Sequence, residues 1–173
     1  MIGILTEKPS AARNFEKALG GMRGEYRGEE YRIAVERGHL YGFAEPHKQV
    51  AENLSERYKS WELSGLPWDE KDFNWNYVQV ADSEEVFKRI KSVLSGCDEI
   101  CIATDDDPTG EGELLAWEIL SQLRINAPKW SRMYFVDESE KELQKAFVNR
   151  KPIRSMESDP VVSGRIKPAL FSS

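Results

Sequence analysis

Five carboxylates fall within nine residues of this chain: Asp105, Asp106, Asp107, Glu111 and Glu113. The run Glu99-Ile-Cys-Ile-Ala103 before them reads as a buried strand, and Leu114, Leu115, Trp117, Ile119 and Leu120 follow with the spacing of a packed helix. The acids therefore gather where a strand hands over to a helix, at the carboxyl edge of an α/β sheet, where sites in such folds collect. Like charges at this density repel one another unless a cation or strong donors neutralise them. Oxygen-only ligands select a hard cation, Mg²⁺ ahead of Ca²⁺ or Mn²⁺. The competing reading is a solvated acidic turn, which the positive end of a helix would also favour.

A second segment weighs against that plainer reading. The chain opens Met-Ile-Gly-Ile-Leu-Thr-Glu7-Lys8-Pro9-Ser10-Ala-Ala-Arg13. A short apolar strand is followed by an acid, a base and a helix start, with Pro9 in the first turn where its missing N–H is not needed. Ala11, Ala12, Phe15, Ala18 and Leu19 make an apolar stripe, and Gly20-Gly21 ends the helix. Glu7 thus stands at the carboxyl end of a strand, on the same edge as the aspartates.

The Thr-Glu-Lys-Pro-Ser-Ala-Ala segment, Gly38-His39-Leu40 and the acidic cluster together resemble the Toprim domain of type IA DNA topoisomerases, most closely the topoisomerase III branch. Tyr58-Lys-Ser-Trp61 followed by Leu66-Pro67 is similar to that branch as well. The resemblance runs in order from Met1 to Pro152. One departure stands out. The family pattern is Asp-x-Asp-Arg-Glu-Gly-Glu, whereas Pro108-Thr109-Gly110 lie here between Asp107 and Glu111. Allowing two extra residues aligns Glu111-Gly112-Glu113 and Ala116-Trp117 with the family, and no residue replaces the family arginine.

Transesterification of a DNA phosphodiester develops negative charge on phosphate oxygens and on the departing sugar oxygen. A metal held by Asp105, Asp107 and Glu111 would orient the phosphate and offset that charge. Glu7, crowded by other carboxylates, is the candidate to give its proton to the 3′ oxygen, and Lys8 to meet the phosphate as a point charge. The resemblance implies the same roles, with Mg²⁺ as the ion and Mn²⁺ as a substitute. His39, Glu113 and Arg13 are candidates to touch DNA or support the site, and His39 has an equally plain structural reading. In the family a tyrosine on separate gate domains attacks, and Tyr26, Tyr31, Tyr41, Tyr58, Tyr77 and Tyr134 match no such motif. The expectation is an amino-terminal part of a longer topoisomerase, or one subunit of a split one, acting on single-stranded DNA and inactive alone. A stand-alone Toprim nuclease using metal-activated water, and a non-catalytic nucleic-acid binding module, are the alternatives.

To position these residues, periodicity and turn residues predict strands at 2–6, 31–37, 76–81, 99–103 and 132–136. Helices are predicted at 9–19, 83–95, 112–122 and 139–149, the second after Asp82 or Ser83 as a cap and the last under a Ser139–Glu142 capping box. Residues 44–75 read as an irregular insertion with short helical turns. The alternation implies an α/β, Rossmann-like, mainly parallel sheet with helices on both faces. The domain is expected to span 1–152, with 153–173 a linker toward the missing gate domain.

The 173 residues are 40% hydrophobic and 31% charged, enough chain for one buried core. No apolar run approaches the ~20 residues of a membrane span, and no secretory leader is recognisable. Cys97 and Cys101 are too few for a disulfide framework, so a cytoplasmic, nucleoid-associated protein is expected. The net charge of −6 is unusual for a DNA partner. From Lys141 onward, however, seven Lys/Arg stand against three acids, a balance of +4 that leaves −10 on residues 1–140. An acidic metal face and a basic carboxyl-terminal stretch can share one strand, although a solvated helix and tail explain the basic part equally well. Trp61, Trp68, Phe73, Trp75 and Tyr77 read first as packing residues, with base stacking the alternative.

Overall fold

A computed structural model describes residues 1–36, 41–43, 45–59, 69–74, 77–79, 83–104 and 111–153, with backbone alone at 41–43, 77–79 and 111. The chain divides into two compact units, Met1–Gly38 with Glu84–Ser173, and His39–Ser83.

The first unit is built on a six-stranded sheet. Its strands are β1 (Ile2–Thr6), β2 (Arg23–Tyr26), β3 (Glu29–Val35), β6 (Glu99–Ala103), β7 (Lys129–Arg132) and β8 (Lys151–Ile153), in the order β2-β3-β1-β6-β7-β8. The four central strands run parallel, and β2 and β8 close the edges antiparallel. Helices α1 (Pro9–Leu19), α3 (Ser83–Leu94), α4 (Glu111–Gln122) and α5 (Glu140–Val148) make the crossovers and cover both faces.

Side chains alternate across the sheet, so each strand feeds two cores. Ile2, Ile4, Tyr31, Ile33, Cys101 and Ala103 pack on one face beneath α1 and α5, where Phe15, Leu143 and Phe147 are fully buried. Phe15 meets Phe135 edge-on at 5.7 Å, and the Gln144 amide donates to the Ala18 carbonyl, tying α5 to α1. Gly3, Leu5, Ala34, Ile100 and Ile102 face the other way by register. There a Cβ added at Gly3 would lie 2.7 Å from Leu94 Cδ2, so α3 rests directly on the sheet. Burial in this core pushes the Cys101 thiol up to about 12, and it acts as a small apolar residue.

The second unit contains the antiparallel ribbon β4 (Tyr41–Phe43) with β5 (Tyr77–Gln79), helix α2 (Glu52–Lys59), and 3-10 turns at Pro46–Lys48 and Glu70–Asp72. Tyr58 packs on Phe73 at 4.8 Å and donates its hydroxyl to Asp72. Phe73 is thus a packing residue, while Trp61, Trp68 and Trp75 lie outside the described residues. His47 sits 3.5 Å from Glu45.

Several expectations need correction. The strand expected at 132–136 is Lys129–Arg132, because pairing with Glu99–Ile102 sets the register and the apolar residues beyond run off the end of β6. Val136 is 91% exposed, and only the Met133 N–H still reaches back, to Ile102. The strand at 76–81 is β5, which pairs with β4 and not with the main sheet. The Ser139–Glu142 box does not form; Ser139 makes no side-chain cap, and its own N–H donates to Asp137 instead.

Candidate active site at the carboxyl edge of the sheet

Glu7 follows β1 and Lys8 is the N-cap of α1, extended at φ −147°, ψ 157°. Pro9 then opens the helix, so the Lys8 carbonyl takes the Ala12 N–H in the first turn. Both side chains are half-buried and both are engaged in the fold. The loop from Thr104 to α4 begins one strand away, since β6 lies beside β1 with Thr6 opposite Ala103.

Parallel register places three polar residues side by side beyond the strand ends. Thr6 pairs with Val35 on one side and Ala103 on the other, and the Glu36 N–H donates to the Thr6 carbonyl at 2.9 Å. Glu36, Glu7 and Thr104 are therefore neighbours on β3, β1 and β6, all on the face that Leu5, Ala34 and Ile102 share. The first turn of α4 closes over Glu7 and Thr104. A Cβ on Gly112 would fall 2.9 Å from Glu7 Oε2 and 3.3 Å from Thr104 Cβ. Only a residue without a side chain lets the helix head approach the carboxylate this closely.

Glu36 is fully buried, and neither carboxylate oxygen has a hydrogen-bond partner among the described residues; Thr104 Oγ1 is likewise buried and unbonded. Burial first, and the charge of Glu7 second, hold the Glu36 carboxyl well above the usual carboxylate range. Sequence reading missed this residue. The signal was an acid at the end of an apolar alternating strand, where Ile33 and Val35 gave no reason to expect burial of the next position.

Glu113 is buried on α4 and forms an ion pair with Arg132 of β7, so it anchors the helix to the sheet. Trp117 stacks on Trp130 one turn further along, 5.2 Å between rings. Arg13 is exposed on α1. Asp105, Asp107 and His39 lie outside the described residues, as does the side chain of Glu111, whose backbone begins α4. Among the described residues the candidate site therefore comprises Glu7, Lys8, Glu36, Thr104 and the head of α4.

A different charged cluster occupies the opposite edge. Arg150 grips both oxygens of Glu29, at 2.6 and 2.9 Å, and reaches Glu99 at 2.6 Å. It borders a groove of about 550 Å³ lined also by Lys129, Trp130 and Ile153. Its carboxylates are already neutralised by Arg150, so this groove is a structural clasp.

The chemistry of the site can be set beside known proteins. DNA topoisomerase 3 of Bacillus cereus (strain ATCC 10987 / NRS 248) is 31% identical over 160 residues, 90% of this chain and 21% of that protein. The DNA topoisomerase 3 of Staphylococcus haemolyticus is 31% identical over 159 residues, covering 89% and 21%. That of Shouchella clausii is 32% identical over 149 residues, covering 83% and 19%. The chain spans about a fifth of the length of these relatives. The Toprim domain model matches residues 3–137, a span that takes in Glu7, the acidic segment and every central strand. With a parallel sheet that brings an acid and a base to the edge where the aspartates begin, the chain belongs to the Toprim domain family.

Proposed function

We propose that this chain is the Toprim part of a type IA DNA topoisomerase, serving cleavage and rejoining of single-stranded DNA. The observation that carries the reading is the Glu7 carboxylate held against Gly112, at the head of the helix that the acidic segment enters. A close approach of this kind, costly for an ordinary residue, is what a positioned acid requires.

Asp105, Asp107 and Glu111 would hold Mg²⁺, with Mn²⁺ as a substitute. An all-oxygen donor set suits a hard cation. When bound, the ion offsets negative charge on the phosphate. Lys8, at the start of α1, adds a positive charge toward the same oxygens. Glu7 gives its proton to the departing 3′ oxygen and recovers it on rejoining. The attacking tyrosine belongs to gate domains of a longer protein, and this chain alone neither nicks nor relaxes DNA.

Calorimetric Mn²⁺ titration of this chain tests the metal assignment. Asp105→Ala with Asp107→Ala should abolish binding, and binding equal to the parent would overturn the assignment. Supercoiled plasmid with Mg²⁺ tests the rest. It should stay intact, and nicking that disappears in Glu7→Gln would favour a stand-alone nuclease.

A further inference from the structure

We propose that Glu36 and Glu7 form a carboxyl pair that carries one proton at neutral pH, with Glu36 the positioning residue that stores it. The role in catalysis rests on Glu7 being the acid; the pair itself does not.

The geometry is set by the sheet. Glu36 continues β3 one step past the Thr6–Val35 pair, and its N–H on the Thr6 carbonyl keeps it in register beside Glu7. Side chains at such positions emerge on the same face of neighbouring strands, about 5 Å apart. Glu36 is inaccessible to water, with both oxygens unbonded among the described residues. An isolated ionised carboxylate cannot be held there at reasonable cost, so the group is neutral. Glu7 is the described titratable neighbour whose charge acts on it, from β1. Thr104 on β6 and Gly112 on α4 carry no charge, while Arg37, His39 and Asp105–Asp107 lie outside the described residues.

Two adjacent carboxyls in such a place titrate as a unit and lose their protons in two separated steps. The buried member holds the remaining proton at rest. Glu7, half-exposed at the edge, passes it on. In cleavage the O–H bond of the pair breaks as the new O–H bond forms on the 3′ oxygen, whose bond to phosphorus breaks, while the tyrosine hydroxyl releases its own proton to water as its oxygen bonds phosphorus. Rejoining returns the proton to the pair. A purely structural Glu36 would fill space and would not be sensitive to Glu7.

The test uses this chain without metal or DNA. A carboxyl protonated in the folded state and titrating higher than in the unfolded chain stabilises fully below the unfolded carboxylate range. That stability is lost as pH rises toward the folded value. In that window the folding equilibrium constant should fall up to tenfold per pH unit, about 1.4 kcal/mol. Denaturation midpoints between pH 4 and 9 should show this decline in the parent and lose it in Glu36→Gln. Glu7→Gln removes the neighbouring charge, so the decline should move to lower pH. Carboxyl ¹³C NMR should report the same high titration and the same displacement. An unchanged pH profile in Glu36→Gln, or a titration indifferent to Glu7→Gln, overturns the pair. In the longer protein, Glu36→Gln should shift the pH limb of cleavage downward by at least one unit. An unmoved limb with the pair intact would remove its catalytic role and leave the pairing itself standing.

Discussion

Gly112→Ala is the sharpest perturbation of the site, because it adds one methyl group at a known place. The new Cβ would lie 2.9 Å from Glu7 Oε2 and 3.3 Å from both Glu7 Cδ and Thr104 Cβ. Ordinary carbon–oxygen contact begins near ~3.4 Å, so the carboxylate must retreat by roughly 0.5 Å. Oε2 is the far end of a flexible side chain, and the retreat itself costs little. Alanine also gains up to about 1 kcal/mol of helix propensity over glycine. Stability should therefore change by less than about 1 kcal/mol in either direction, measured by urea unfolding of this chain. Function should respond differently. A misplacement of ~1 Å costs on the order of a hundredfold when a reacting group must be aligned, so half that distance should slow cleavage about tenfold. Single-turnover cleavage of a labelled oligonucleotide by the longer protein reads this directly. A stable variant cleaving at the parental rate would refute the claim that α4 positions Glu7.

Two further outcomes follow from the ion pairs. Arg150→Ala should destabilise the chain by about 2–4 kcal/mol, since Glu99, only 16% exposed, would lose its cation. Burial would raise the Glu99 carboxyl, but hydrogen bonds from Arg150 and Ser131 outweigh it and hold it low. That contribution is present above the unfolded carboxylate range and lost as pH falls through the folded value, so acid denaturation should begin at higher pH in the variant. Arg132→Met should cost about 3–5 kcal/mol by stranding Glu113, while Arg132→Met with Glu113→Leu should recover most of it, as a thermal double-mutant cycle would measure.

The sequence revealed the central strands because each is a short apolar run between turn residues, and β1, β6 and α1 lie where periodicity puts them. The edges were hidden. Arg23–Tyr26 exposes Arg23, Gly24 and Glu25, so its alternation carries no apolar signal; what fixes it is the two-residue turn at Arg27 and Gly28, both left-handed at φ 49° and 81°. Lys151–Ile153 is an edge strand holding a proline, tolerable only because its other side needs no ladder. At the site, Glu7 and Lys8 were legible from their place between a strand and a helix. Glu36 was not, because nothing local distinguishes a buried acid from a solvated one. Only the pairing of β3 with β1 brings it beside Glu7. The role of Glu113 was equally invisible, since Arg132 lies 19 positions away and meets it through the fold.

We propose that Glu7 and the acidic segment act as one metal-dependent centre in strand cleavage and rejoining. The direct measurement is the equilibrium between cleaved and rejoined oligonucleotide formed by the longer protein, with and without Mg²⁺. Glu7→Gln should abolish cleavage. Glu111→Gln should impair Mg²⁺-dependent rejoining more than Glu113→Gln does, and Thr109→Ala should behave as the parent. Full cleavage by Glu7→Gln, or a severe loss in Thr109→Ala with Glu111→Gln tolerated, would rule out this centre.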